Sequence, residues 1–217
     1  MTTQTTIFSL DAIDAALAAA TPSLDEDEQR LAAIVLRLLA AGEPVSIPAA
    51  AAVAGMPGPR AEQVLRSWPA VFWDDHGRVT GFWGLALAEM PHRLGHAGTG
   101  LGAWCAWDPL FLARVIGDLD VATTDPITGE AITYHIGDDG AIARASHPGS
   151  VLSFLRPDQP WDDNVITTFC HYVLHFTGPA TAQRWAATHP GTFVLRLADA
   201  AELARRHAAR TFGIPSA

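Results

Sequence analysis

Cysteine is scarce in this sequence: only Cys105 and Cys170 occur in 217 residues. Two thiols cannot build a disulfide framework or supply a four-thiolate zinc site. There is no Cys-x-x-Cys pair, so a zinc site drawn from the two cysteines with His171 and His175 lacks the usual ligand spacing. Also missing is any run approaching the roughly 18 consecutive apolar residues that a membrane-spanning helix needs. Residues 1–10 show no cationic start followed by a long apolar stretch, so no secretory signal is read there. The expectation is a cytoplasmic protein with no membrane partner.

Positive charge is thin as well. With 14 Lys+Arg against 23 Asp+Glu, a net charge of -9 and no dense basic run, the surface repels phosphate backbones. Nucleic acid is therefore not an expected partner. No internal repeat or low-complexity tract is evident beyond alanine richness. What the chain has in quantity is apolar side chains, 49% of its residues, enough to bury a core in one sizeable domain or two small ones.

The apolar spacing sets the expected elements. Residues 1–22 read as a helix or arm with a stripe at Ile13, Leu17 and Ala20. Ser23 is placed to cap a helix carrying Leu31, Ile34, Val35 and Leu38, ending near Gly42. Ser46 can cap a short second helix, and Pro59 starts a third. Two short strands then flank the turn Asp75-His76-Gly77. Three helices and a hairpin over residues 23–83 make a winged-helix-like pattern. Its candidate recognition helix carries only Arg60 and Arg66 against Glu62, too little to read a DNA groove.

From residue 84 to 217 the texture changes to short strand-like runs. Pro91, Gly95, Gly98, Gly100 and Gly102 suggest a loop-rich approach to the first cysteine. The last third reads strand, helix, strand, helix, beginning with a strand over residues 172–176. The fold class expected is α+β, with a helical front followed by a mixed, mainly antiparallel sheet domain with flanking helices.

Chemistry concentrates at the two thiols. In Trp104-Cys105-Ala106-Trp107-Asp108 a carboxylate follows a thiol by three residues; on a helical turn the two would share a face. Among aromatic and aliphatic neighbours such a carboxyl has a raised pKa, and it can then accept and return a proton near neutral pH. The plainer reading is that Asp108 caps the helix that starts at Pro109, and that Cys105 and Cys170 are small buried hydrophobes. His171 and His175 read as a surface or satisfied core pair, and His135 as an ordinary strand residue.

The segment Ala103-Trp104-Cys105-Ala106-Trp107-Asp108-Pro109-Leu110-Phe111 is followed by Ile116-Gly117, the turn Thr128-Gly129, the pair Phe169-Cys170, and Trp185 with His189. In that order and spacing it resembles the bacterial organomercurial (alkylmercury) lyases over roughly residues 23–189. The resemblance implies that Cys105 and Cys170 bind mercury while Asp108 handles the proton. Two soft thiolates suit a soft metal. It further implies an enzyme of mercury detoxification that cleaves carbon–mercury bonds by protonolysis, yielding a hydrocarbon and mercury(II). No cofactor is expected; an external thiol regenerates the site, and a mercuric reductase takes the metal onward. Trp104, Trp107 and Phe169 are expected to wall the substrate pocket.

The chain departs from that family at three places: Gly102 stands where a tyrosine is common, Asp125 where many members carry a structural cysteine, and His171 and His175 are displaced from a histidine-valine-histidine run. The last departure motivates a second reading, a soft-metal or organometal binder without turnover. A third is a winged-helix regulator sensing metal through the same thiols, which the acidic composition opposes.

Overall fold

The structure is a computed structural model that describes residues 8–215; the start of the expected N-terminal arm, residues 1–7, lies outside them. Helix α1 (Leu10–Ala20) is capped by Ser9, whose Oγ accepts the Ala12 amide, and it buries the expected stripe Ile13, Leu17 and Ala20. Helix α2 (Glu26–Leu39) begins two residues later than its expected cap. Asp25, not Ser23, is the cap: its Oδ1 accepts the Glu28 amide at 2.8 Å while Glu28 Oε2 accepts the Asp25 amide at 3.3 Å. Serving two end amides at once outcompetes the single bond that Ser23 offers.

Ser46 caps α3 (Ile47–Ala54) as expected, and α4 (Gly58–Ser67) carries Pro59 in its first turn. The hairpin follows as β1 (Val71–Trp73) and β2 (Val79–Phe82). Asp74 organises its turn, accepting the His76 and Arg78 amides at 2.9 Å each.

The hairpin does not stand alone. It is one edge of an eight-stranded sheet that continues through β3 (Leu85–Ala86), β5 (Thr99–Ala103), β4 (His92–His96), β6 (Leu119–Thr124), β7 (Ala131–Ile136) and β8 (Ile142–Ala143). A second sheet has β9 (Val151–Leu155) between β10 (His175–Phe176) and β11 (Thr192–Arg196). Every strand pairing among the described residues is antiparallel, so the mixed character expected of the sheet is not realised.

Two further expectations change. The glycine-rich approach to Cys105 is a β4–β5 hairpin, paired from His92↔Ala103 to His96↔Thr99. Two of these glycines have structural reasons: a Cβ on Gly102 would lie 2.6 Å from Ala88 O, and Gly98 holds the hairpin turn at φ +86°. The strand expected over residues 172–176 shrinks to β10 behind a 3₁₀ turn at Cys170–Tyr172. Ser153 of β9 replaces the regular ladder there: its Oγ donates to Tyr172 O at 2.7 Å and accepts the Leu174 amide at 3.0 Å.

Helix α5 (Asp108–Ile116) packs against α8 (Leu197–Phe212) and α2, and it reaches β6 and β7 of the large sheet. α6 (Val165–Thr168) leads into the 3₁₀ turn, and α7 (Pro179–Ala186) covers the small sheet. One apolar core runs from Ile13 through Phe212.

Asp125, just after β6, is fully buried. Its carboxylate accepts the amides of Ile127 and Thr177, both at 2.8 Å, and the Thr177 hydroxyl at 2.9 Å, tying the β6–β7 turn to the end of β10. Burial acts to raise its pKa, but these donors outweigh burial and hold it below its ordinary value of 3.8. A depressed carboxyl contributes stability that is present above the ordinary value and lost as pH falls through the folded one. Asp125→Ala should therefore cost about 2–3 kcal/mol at pH 7, by strand donors left unpaired, and the gap from the native chain should close below pH 3.8 in denaturant titrations. An equal gap at both pH values would contradict this role.

Candidate active site

Cys105 sits in the bend between β5 and α5, and Cys170 opens the 3₁₀ turn after α6. The Ala106 amide donates to Val173 O at 2.9 Å, stitching one cysteine segment to the other. The result is a three-member cluster: ligating atoms of Cys105, Asp108 and Cys170 all lie within 4.8 Å of one another. Both cysteines are free thiols, and all three residues are buried.

The carboxyl arrives by a different route from the one expected. Cys105 precedes the helix, so no shared helical face is involved. Trp107 is the cap residue of α5, and no side chain caps that end. Asp108, the first helical residue, turns backwards instead, and its Oδ2 accepts the Cys105 amide at 2.7 Å. Space for it comes from Gly84: a Cβ there would fall 2.8 Å from Asp108 Cγ, and the backbone has φ +96°. The Trp104 amide donates to Gly84 O at 3.1 Å, holding that segment against the carboxyl.

Burial raises the Asp108 pKa to about 7, although the Cys105 amide and thiol pull the other way. Burial likewise pushes the Cys105 thiol well above its ordinary value, with Cys170 and Asp108 adding to the rise. Cys170 is lowered by its hydrogen bond with Cys105, but burial and the Asp108 charge leave it raised overall. The resting cluster at neutral pH thus holds two protonated thiols beside a carboxyl poised to gain or lose one proton.

A cavity of about 40 Å³ opens on this cluster. Trp104, Trp107 and Phe169, singled out from the sequence, all line it, as do Asp108 and Cys170. Trp107 is fixed by its Nε1–H donating to Ala200 O at 3.0 Å and by edge contacts with Phe111, Phe154 and Phe169. Trp104 meets Phe72 edge-on.

Sequence reasoning missed Trp83, Gly84, Trp161 and His207, together with the turns at Thr21–Pro22 and Pro69–Ala70 that complete the wall. Isolated aromatic residues carry no local signal of a shared wall. Burial lowers the His207 pKa to about 3, so it stands neutral. His171 is exposed; His175 is buried, with Nε2 3.0 Å from Ser150 Oγ and Nδ1 unpartnered, so only half of that pair fits the surface or satisfied-core expectation. His135 is an ordinary strand residue, paired with Asp120 at 3.0 Å.

A buried dithiol beside a protonatable carboxyl can grip a soft cation and hand over a proton at the same point. Comparison with known proteins agrees with that chemistry. The family model described as alkylmercury lyase matches residues 85–209. An alkylmercury lyase of Staphylococcus epidermidis is 36% identical over 177 residues, covering 81% of this chain and 80% of that protein. One from Pseudomonas putida is 34% identical over 76% of this chain and 77% of its own length. The crystal structure of the mercury-bound form of MerB2 superposes with a TM-score of 0.71 at 19% identity, covering 93% of this chain and 98% of that one, a likeness of fold. On the extent of the family match and the identity to these relatives, the chain belongs to the alkylmercury lyase family.

Proposed function

We propose that this protein cleaves carbon–mercury bonds by protonolysis, with Cys105, Asp108 and Cys170 as the reacting groups. The observation that carries the reading is the convergence of two thiols and one carboxyl of raised pKa at the edge of a cavity walled by aromatic side chains.

The steps balance without an outside proton. Cys170 lines the cavity and meets the substrate first. An alkylmercury thiolate exchanges its ligand for the Cys170 sulfur, and the Cys170 proton leaves on the displaced thiol. Cys105, the deeper thiol, passes its proton to Asp108 and binds the same mercury. Two thiolate donors make the carbon more basic, and Asp108 protonates it. Hydrocarbon leaves, mercury(II) stays on the two sulfurs, and two external thiols remove it while returning both thiol protons. Holding donor and carbon together in one site supplies much of the acceleration. The metal is substrate and product, and the scheme calls on no cofactor. A mercuric reductase is the proposed recipient of mercury(II), and a reducing cytoplasm the proposed location.

The front unit, residues 23–83, is assigned a winged-helix-like but structural role. Arg60 is paired with Glu28 at 2.8 Å and Arg66 with Glu62 at 2.9 Å, which leaves little free charge on α4 for DNA. Its turn at Pro69–Ala70 instead helps to wall the cavity that the domain of residues 84–217 supplies with reacting groups.

Cys105→Ala and Cys170→Ala should each reduce hydrocarbon release from methylmercury or phenylmercury, with excess thiol present, by at least about 10³-fold, the scale of losing an essential reacting group. Release at the native rate from either variant would defeat the two-sulfur scheme. Asp108→Asn should retain organomercury yet release no hydrocarbon. A native chain that holds the metal and never makes hydrocarbon would favour the binder reading.

The raised carboxyl also has a stability signature. Between its ordinary 3.8 and about 7, the folded chain keeps a proton that the unfolded chain has released, so stability falls as pH rises through that window. The fall is on the order of 4 kcal/mol. Asp108→Asn removes it, and its denaturant midpoint should gain on the native one between pH 4 and pH 8. A constant difference would show that the carboxyl is not raised.

A further inference from the structure

Tyr134 lies on the buried face of β7, the strand on which α5 packs. Its ring leans on His175, five positions after Cys170, with 5.4 Å between centroids and a tilt of 59°. The strand that carries the phenol thus touches the helix that begins at Asp108, and the ring itself touches the segment that follows the second sulfur.

Its Oη is buried and has no hydrogen-bond partner. His175, whose ring the phenol touches, also has a buried Nδ1 without a partner, and no hydrogen bond joins the two groups. An unsatisfied buried hydroxyl is destabilising, and phenylalanine would fill the same space without that cost. Burial first, then the charges that Cys105 and Asp108 can carry, raise the phenol's pKa far above its ordinary value, so Tyr134 remains a protonated donor.

The reaction proposed above creates a need for such a donor. Two thiolates around one alkylmercury cation carry a net charge of minus one. No arginine lines the cavity to offset it. In a dry site, a preset O–H dipole counts for far more than it would in water. We infer that Tyr134 is a positioning residue whose O–H is held in reserve for the anionic two-sulfur adduct, reaching its sulfur directly or across one water. No bond to Tyr134 forms or breaks, and its proton stays on oxygen. The role rests on the lyase reading only for its effect on rate, since the adduct forms whether or not carbon is then protonated.

Tyr134→Phe tests it in three arms. Thermal stability should be unchanged or higher, because an unpaired buried hydroxyl is gone. Single-turnover hydrocarbon release from methylmercury should slow at least tenfold, with the effect on kcat rather than KM. In an Asp108→Asn background, where buffer rather than Asp108 takes the Cys105 proton and carbon is not protonated, retention of methylmercury against a competing small thiol should weaken at least tenfold. Loss of stability with a proportionate loss in the other arms would assign Tyr134 to packing, and no change in retention would overturn the inference. If the native chain itself releases no hydrocarbon, the lyase reading falls while the retention arm still decides the role of Tyr134.

Discussion

A carboxyl group taken out of water among indole rings has its pKa lifted to about 7, where it can both take up a proton and return it, and the candidate site depends on that constraint. Asp108 is buried beside two thiols, with Gly84 pressed on one side and the Cys105 amide on the other. Desolvation holds each of the three groups toward its neutral form, so the resting cluster carries little charge. An incoming organomercury cation changes the balance, because its positive charge makes thiolates affordable in the same dry space. The site is arranged to ionise only when the substrate is in place.

The rest of the fold serves that arrangement. The bond from the Ala106 amide to Val173 O joins two distant chain segments and sets the sulfurs side by side. Ser153 shapes the second segment by replacing part of a strand ladder, which turns Cys170 inward on a 3₁₀ turn. The turn at Pro69–Ala70, Trp83 and the end of α1 close the cavity, with the Trp161 amide donating to Ala20 O at 3.0 Å. Asp125 reaches the same segment by hydrogen bonds to Thr177. Gly102 is small because the chain at Ala88 passes too close for any side chain.

The candidate trio was legible in the sequence because thiols are so rare here, and a carboxylate three residues beyond one of them stands out in an apolar run. The helices were legible from their stripes, as at Ile13, Leu17 and Ala20. What could not be read was whatever depends on distant partners. Ser23 reads as the cap from local sequence, and the reciprocal bond between Asp25 and Glu28 that overrides it shows only in the fold. The glycines before Cys105 suggested a loop, since the need for Gly102 in a hairpin comes from the approach of Ala88, which no local pattern reveals. Trp83, Trp161 and His207 joined the wall for the same reason, and Tyr134 drew no notice because an unpartnered hydroxyl is a property of its surroundings.

The central claim is that both sulfurs and the carboxyl act together on a single mercury atom. One equivalent of methylmercury, mixed with the chain in the absence of added thiol, tests it most directly when methane is counted and the mercury environment is then read by X-ray absorption. The account predicts one methane per chain, mercury bound by two sulfur neighbours, and no second turnover until thiol is supplied. Methane released with mercury held by a single sulfur would contradict it.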